Sequence, residues 1–105
     1  MDIKTTIELN KLIDLYGEFL TQKQLQVMKD YYVFDYSLSE IADNLKISRQ
    51  AVNYTIKLAT ETLYDCEKKL HLNDKIEKVK NALKEINVDD DSKKKIEFAI
   101  NILEE

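Results

Sequence analysis

Not one proline interrupts this chain of 105 residues, and it holds a single glycine, Gly17. Proline breaks helices and glycine weakens them. A sequence nearly free of both, and rich in Lys, Glu, Asn, Leu and Ile, is set up for helix from end to end. The apolar residues carry the matching period. Leu9, Leu12, Ile13, Tyr16, Phe19 and Leu20 recur at three- and four-residue spacing, which predicts an amphipathic helix over 5–20. With 44% apolar residues the chain has material for a real core, in one domain or one domain plus a small appendage.

Helix starts are marked by short polar signatures. Thr21 and Gln24 stand at capping-box spacing and open a second helix that runs to about Tyr32, with Leu25, Met28 and Tyr32 inward. The aromatic stretch 31–36, "YYVFDY", ends that helix and packs the turn after it. Ser37 and Glu40 form a second capping box, followed by a short helix with Leu38, Ile41, Ala42 and Leu45 inward. Three residues later Ser48 starts another helix. Two capped helices joined by so short a link must cross steeply, which predicts a helix-turn-helix over 37–58. Ala42 is the small residue such a crossing needs, and Ile41, Leu45, Ile47, Val52 and Thr55 occupy its packing positions. Lys46 stands at the turn position that glycine often takes. A left-handed lysine there costs about 1 kcal/mol.

The next helix is long. Val52, Ile56, Ala59, Leu63, Cys66 and Leu70 form a seam that runs unbroken to about Asn73, expected to be buried against the first helix or the C-terminal ones. Two further amphipathic segments close the chain. One carries Ile76, Val79, Leu83 and Ile86 over 74–87; the other carries Ile96, Ala99, Ile100 and Leu103 over 91–104. The expected organisation is an all-α helical bundle: a helix-turn-helix domain over 1–72, and a helical extension over 73–105 that packs on the domain or on a partner chain.

Arg49 is the only arginine among 16 basic residues, and it falls in the first turn of the long helix. At about 100° per residue, with Arg49 at zero, Ala51, Val52, Thr55, Ile56 and Ala59 lie between about 200° and 340°. Arg49, Gln50, Asn53, Tyr54 and Lys57 lie between about 0° and 140°. The polar face thus holds Arg, Gln and Asn, side chains able to make paired hydrogen bonds to base edges, at the end with which a recognition helix leads. Ser48, Arg49, Gln50, Asn53, Tyr54 and Lys57 are the candidate nucleic-acid-binding residues. Any exposed helix face is polar, so charge weighs against them. The net charge is −4, and from Ser37 to Lys57 the balance is only +1. Few phosphates would be neutralised, so a single copy would bind weakly and in a salt-sensitive way.

Taken together, "LTQKQ", "YY…DYSLSEIA", "ISRQAV", "IK" and "KLHL" resemble the YlxM-like family of small bacterial helix-turn-helix proteins, and more distantly region 4 of sigma factors. The resemblance spans roughly residues 8–72. It implies a sigma-region-4-like fold and a link to the signal recognition particle, whose genes usually neighbour those of the family. Two stretches depart from the pattern. Asn53 and Tyr54 stand where the family has Tyr-Asp, and Leu58 stands where it has a basic residue.

Other chemistry is thin. His71 has no ligand cluster around it, and Cys66 lies on the apolar seam. Asp89, Asp90 and Asp91 read as helix-capping acids, because the glycine and terminal glutamate of an EF-hand are absent. Tyr31, Tyr32 and Tyr36 read as core and rim packing. No cofactor, no metal site and no enzymatic activity are expected. A lone cysteine fits a reducing, cytoplasmic setting, and no apolar run nears the ~18 residues of a membrane span. Two functions stay open. One is a regulatory nucleic-acid-binding module, of DNA or of signal recognition particle RNA, acting as a homodimer. The other is a protein–protein or ribonucleoprotein accessory factor that contacts signal recognition particle proteins.

Overall fold

A computed structural model describes residues 2–105. Among these residues the chain forms six α-helices and no strand: α1 (Ile3–Tyr16), α2 (Gln22–Tyr32), α3 (Leu38–Leu45), α4 (Arg49–Leu70), α5 (Leu72–Lys84) and α6 (Asp90–Glu104), with a 3-10 turn over Gly17–Phe19. The all-α helix-turn-helix architecture is as expected from the pattern of caps and apolar spacing.

Both capping boxes form with their reciprocal bonds. The Gln24 N–H donates to Thr21 Oγ1 at 3.1 Å, and the Thr21 N–H donates to Gln24 Oε1 at 3.0 Å. The Glu40 N–H donates to Ser37 Oγ at 3.1 Å, and the Ser37 N–H donates to Glu40 Oε1 at 3.0 Å. These bonds hold the Glu40 carboxyl below the usual glutamate range.

The first helix differs from the expected 5–20. It starts at Ile3 on an Asp2 cap and stops at Tyr16. The chain then tightens into the 3-10 turn at Gly17, where a Cβ would meet Leu25 Cδ1 at 3.0 Å. The tightened turn also takes Phe19 off the helical period, so Phe19 is 65% exposed rather than inward.

The chain divides into two compact units between Leu70 and His71. In the first, α1 and α2 enclose the rear half of α4. Leu9, Leu12, Ile13, Tyr16, Leu20, Met28, Ala59 and Leu63 form this core, with Cys66 half-buried at its edge. A second core of Val27, Ile41, Ala42 and Val52 lies under the front half of α4, and Ile56 packs against both. The apolar seam of α4 is thus buried as far as Leu63. Leu70, expected to be covered, is exposed. The reason is length: α4 has 22 residues and α1 only 14, a difference of about 12 Å at 1.5 Å per residue.

In the second unit α5 and α6 form a helical hairpin. Lys80 Nζ joins the two helices, 3.2 Å from Glu104 Oε1 and 3.6 Å from Glu77 Oε1. Asp89 caps α6 by accepting from the Ser92 N–H at 2.8 Å. Neither helix contains a fully buried residue. Val79 and Ile86, on the apolar side of α5, are about half exposed.

Candidate nucleic-acid interface

The turn between α3 and α4 decides where α4 points. Lys46 takes the left-handed conformation, φ 57° and ψ 44°. The Ile47 N–H donates to the Ala42 carbonyl at 3.0 Å, and the Lys46 N–H donates to the Asp43 carbonyl at 3.4 Å. These two bonds make a Schellman ending, with lysine in the place usually given to glycine. Ile47 follows and packs on the second core, the apolar contact that commonly accompanies this motif. The chain then re-enters helix at once. The Ala51 N–H donates to Ser48 Oγ at 3.0 Å, so Ser48 caps α4.

Behind this entry the anchoring is tight. Val52 is fully buried against Val27, Ile41 and Ala42. Thr55 turns its hydroxyl back on the helix and donates to the Ala51 carbonyl at 2.9 Å, so it is not displayed outward. The opposite face of α4 is open. Arg49, Gln50, Asn53, Tyr54 and Lys57 are all exposed, and Tyr54 is 62% exposed although it is a large aromatic. Five of the six candidate side chains therefore share one solvent-facing strip at the leading end of α4. Ser48 stands apart, since its oxygen is already engaged by the backbone and only its O–H remains to donate.

The cations of this strip make no ion pair among the described residues. Ion pairs among the described residues include Lys69 with Asp65 at 2.9 Å, Lys78 with Asp74 at 2.9 Å, and the Lys80 cluster. Lys46 was absent from the candidate set. It is exposed in the turn just before α4, so it adds a third free cation next to Arg49. Its signal in the sequence is its place in the turn and in the +1 charge balance of residues 37–57. The arrangement offers a forked guanidinium, two amides, an aromatic ring and two ammonium groups, with no nucleophile–base pair among them. Groups of His, Cys, Asp and Glu able to hold a metal ion are also lacking among the described residues. No helix is long and apolar enough to cross a membrane.

Comparison with known proteins follows the same lines. The profile of the UPF0122 family, described as "Putative helix-turn-helix protein, YlxM / p13 like", matches residues 3–102. The chain belongs to this YlxM/p13-like family. A UPF0122 protein of Staphylococcus haemolyticus is 39% identical over 104 residues, covering 99% of this chain and 94% of that protein. One from Clostridium perfringens is 41% identical over 103 residues, covering 90% of this chain and 92% of that protein. One from Lactococcus lactis is 46% identical over 72 residues, covering 69% of this chain and 65% of that protein. The YlxM/p13-like family thus accounts for the helix-turn-helix and for nearly the whole length of the chain, including the α5–α6 hairpin.

Proposed function

We propose that this YlxM/p13-like protein is a nucleic-acid-binding regulator that reads its target with the leading half of α4. Arg49, Gln50, Asn53, Tyr54 and Lys57 meet the nucleic acid, and Ser48 and Lys46 hold a flanking phosphate. The single observation that carries this reading is the strip itself. Its cations are unpaired, and it stands directly over a fully buried anchor, Val52. A rigid, free donor set on the first turns of a helix-turn-helix is what major-groove contact requires. The family's association with signal recognition particle genes makes that pathway the setting, with its RNA or a promoter as the target.

With few positive charges, one copy neutralises few phosphates and binds weakly. Doubling two weak readers on linked half-sites raises affinity without new contacts, so the working form is a homodimer.

A second reading is favoured by the acidic balance of the chain. With a net charge of −4 it has no field to attract a polyanion. In this reading the protein keeps the fold and serves as an accessory factor on signal recognition particle proteins. Titration of labelled double-stranded DNA and signal recognition particle RNA at two salt concentrations separates the two. The regulator reading expects saturable binding to one of them that weakens steeply with salt. Binding to neither above the non-specific level removes it and leaves the accessory reading.

A further inference from the structure

The link between α2 and α3 divides its aromatic residues between inside and outside. Tyr31 packs on the second core and Tyr32 on the first. The residues that follow turn outward: Val33, Phe34 and Tyr36 are 48%, 54% and 41% exposed. The Phe34 and Tyr36 rings are neighbours, with centroids 6.4 Å apart and planes tilted by 40°. Backbone bonds fix the link that carries them. The Val33 and Phe34 N–H groups both donate to the Lys29 carbonyl at 2.9 Å, and the Tyr36 N–H donates to the Asp30 carbonyl at 2.8 Å. Asp35 takes the left-handed conformation between the two rings, with φ 60°. Both rings thus face solvent from a backbone already held in place, which lowers the entropy cost of binding.

Carboxylates flank the pair. Asp35 is exposed and separates the two aromatic residues in the chain. Glu40 Oε1 accepts from the Ser37 N–H, the first backbone donor after Tyr36. From Asp30 to Leu45 the acids are Asp30, Asp35, Glu40 and Asp43, and no basic residue stands among them; Lys29 and Lys46 mark the two ends. Asp30 is buried, while Asp35, Glu40 and Asp43 are exposed.

These charges discriminate between covers for the rings. Phosphates of a nucleic acid or an anionic lipid surface would be repelled. A second copy docked on the same patch about a two-fold axis would set carboxylate against carboxylate. A neutral apolar partner would strip water from Asp35 and leave its charge unpaired, which is costly. A cationic side chain satisfies both features, since ring faces attract it and carboxylates pair with it.

We propose that Phe34 and Tyr36, with Asp35 and Glu40, form a docking site for a lysine- or arginine-bearing segment of a partner protein. The site is separate from the strip on α4 and stands whether or not that strip binds nucleic acid.

Titrating the full chain with a short peptide of arginine and leucine at helical spacing, followed by the NMR signals of the Phe34 and Tyr36 rings, tests the proposal. Both rings should shift saturably, with a Kd of about 100 μM or tighter. The same peptide with citrulline for arginine keeps the shape without the charge and should bind at least about tenfold more weakly. Removing both rings, as Phe34→Ala with Tyr36→Ala, should weaken binding at least about fivefold. Asp35→Asn guards against misfolding in that variant, because asparagine also tolerates the left-handed conformation. It should weaken binding about threefold at low salt and less at high salt. Asp91→Asn removes the same charge from α6 and should leave the Kd unchanged. No saturable shift at about 1 mM peptide would overturn the proposal. So would equal binding of the citrulline peptide, or equal weakening by Asp35→Asn and Asp91→Asn. Ring signals that move with protein concentration alone would assign the patch to a second copy. Signals that move with a single-stranded oligonucleotide and not with the peptide would assign it to nucleic acid, and either result would overturn the proposal.

Discussion

Tyr16 donates its hydroxyl to Glu67 Oε1 at 2.6 Å, joining the end of α1 to the rear of α4 across 51 residues of sequence. The ring of Tyr16 is fully buried in the main core, so the bond forms where packing has already fixed its donor. α4 is thereby held at both ends, by Val52 in front and by Glu67 behind. Replacing Tyr16 with Phe keeps the ring and removes the bond. The expected loss is about 1–2 kcal/mol, since the acceptor is charged but only partly buried. Urea unfolding should show a lower midpoint with an unchanged slope, and nucleic-acid binding should stay at the wild-type level.

Lys46 should respond in two opposite directions. Its left-handed backbone suits glycine better than lysine, so Lys46→Gly should raise stability by about 0.5–1 kcal/mol. The same change removes a free cation beside Arg49. If that lysine neutralises a phosphate, the salt slope of binding should fall by about one unit. Thermal unfolding and a salt titration of the one variant check both effects.

The Glu40 capping box predicts a feature of acid unfolding. Hydrogen bonds from the Ser37 backbone N–H and the Ser37 hydroxyl hold the Glu40 carboxyl below its ordinary value. A group whose folded pKa is depressed stabilises above its unfolded pKa, and that contribution is lost as pH falls through the folded value. Asp2 and Asp89, which cap α1 and α6, are depressed in the same way by Thr5 and Ser92. Stability should therefore decline on acidification across the carboxylate range. Glu40→Gln keeps a capping-box side chain without a titrating group, so it should flatten that decline. An equal slope in wild type and variant, measured by urea midpoints at stepped pH, would show that the capping carboxylate does not contribute.

Much of the fold could be read before the structure because its signals are local. Ser37 with Glu40, and Thr21 with Gln24, satisfy backbone donors within three residues, so no distant partner is needed to place α2 and α3. Lys46 was legible as left-handed because nothing else closes so short a link. What escaped depends on distant elements. Phe19 continues the period of α1 in sequence, yet α1 ends at Tyr16 and the 3-10 turn over Gly17–Phe19 takes it off that period. Leu70 continues the seam of α4, yet α1 ends too soon to cover it. Tyr16 reads as one more apolar residue, and its bond to Glu67 has no trace in spacing. The outward face of α4 was visible from angle alone, since Val52, Thr55 and Ala59 fall in one sector and Gln50, Asn53, Tyr54 and Lys57 in the other. Its ligand was not, because Arg, Gln, Asn and Lys are also ordinary surface residues.

The most direct measurement compares Arg49→Ala with Lys57→Ala in binding to DNA and to signal recognition particle RNA. Both residues are exposed, so both variants should fold as wild type. Arg49 is in the leading turn, and its guanidinium can form two parallel hydrogen bonds, whereas Lys57 stands two turns back as a point charge. Arg49→Ala should therefore cost more. A paired base contact is worth about 1–3 kcal/mol of discrimination between targets, while a phosphate contact would weaken all sequences alike and lower the salt slope by about one. The account predicts a larger loss for Arg49→Ala than for Lys57→Ala on the bound target. Wild-type binding that neither substitution changes would contradict it and place the contact surface away from α4.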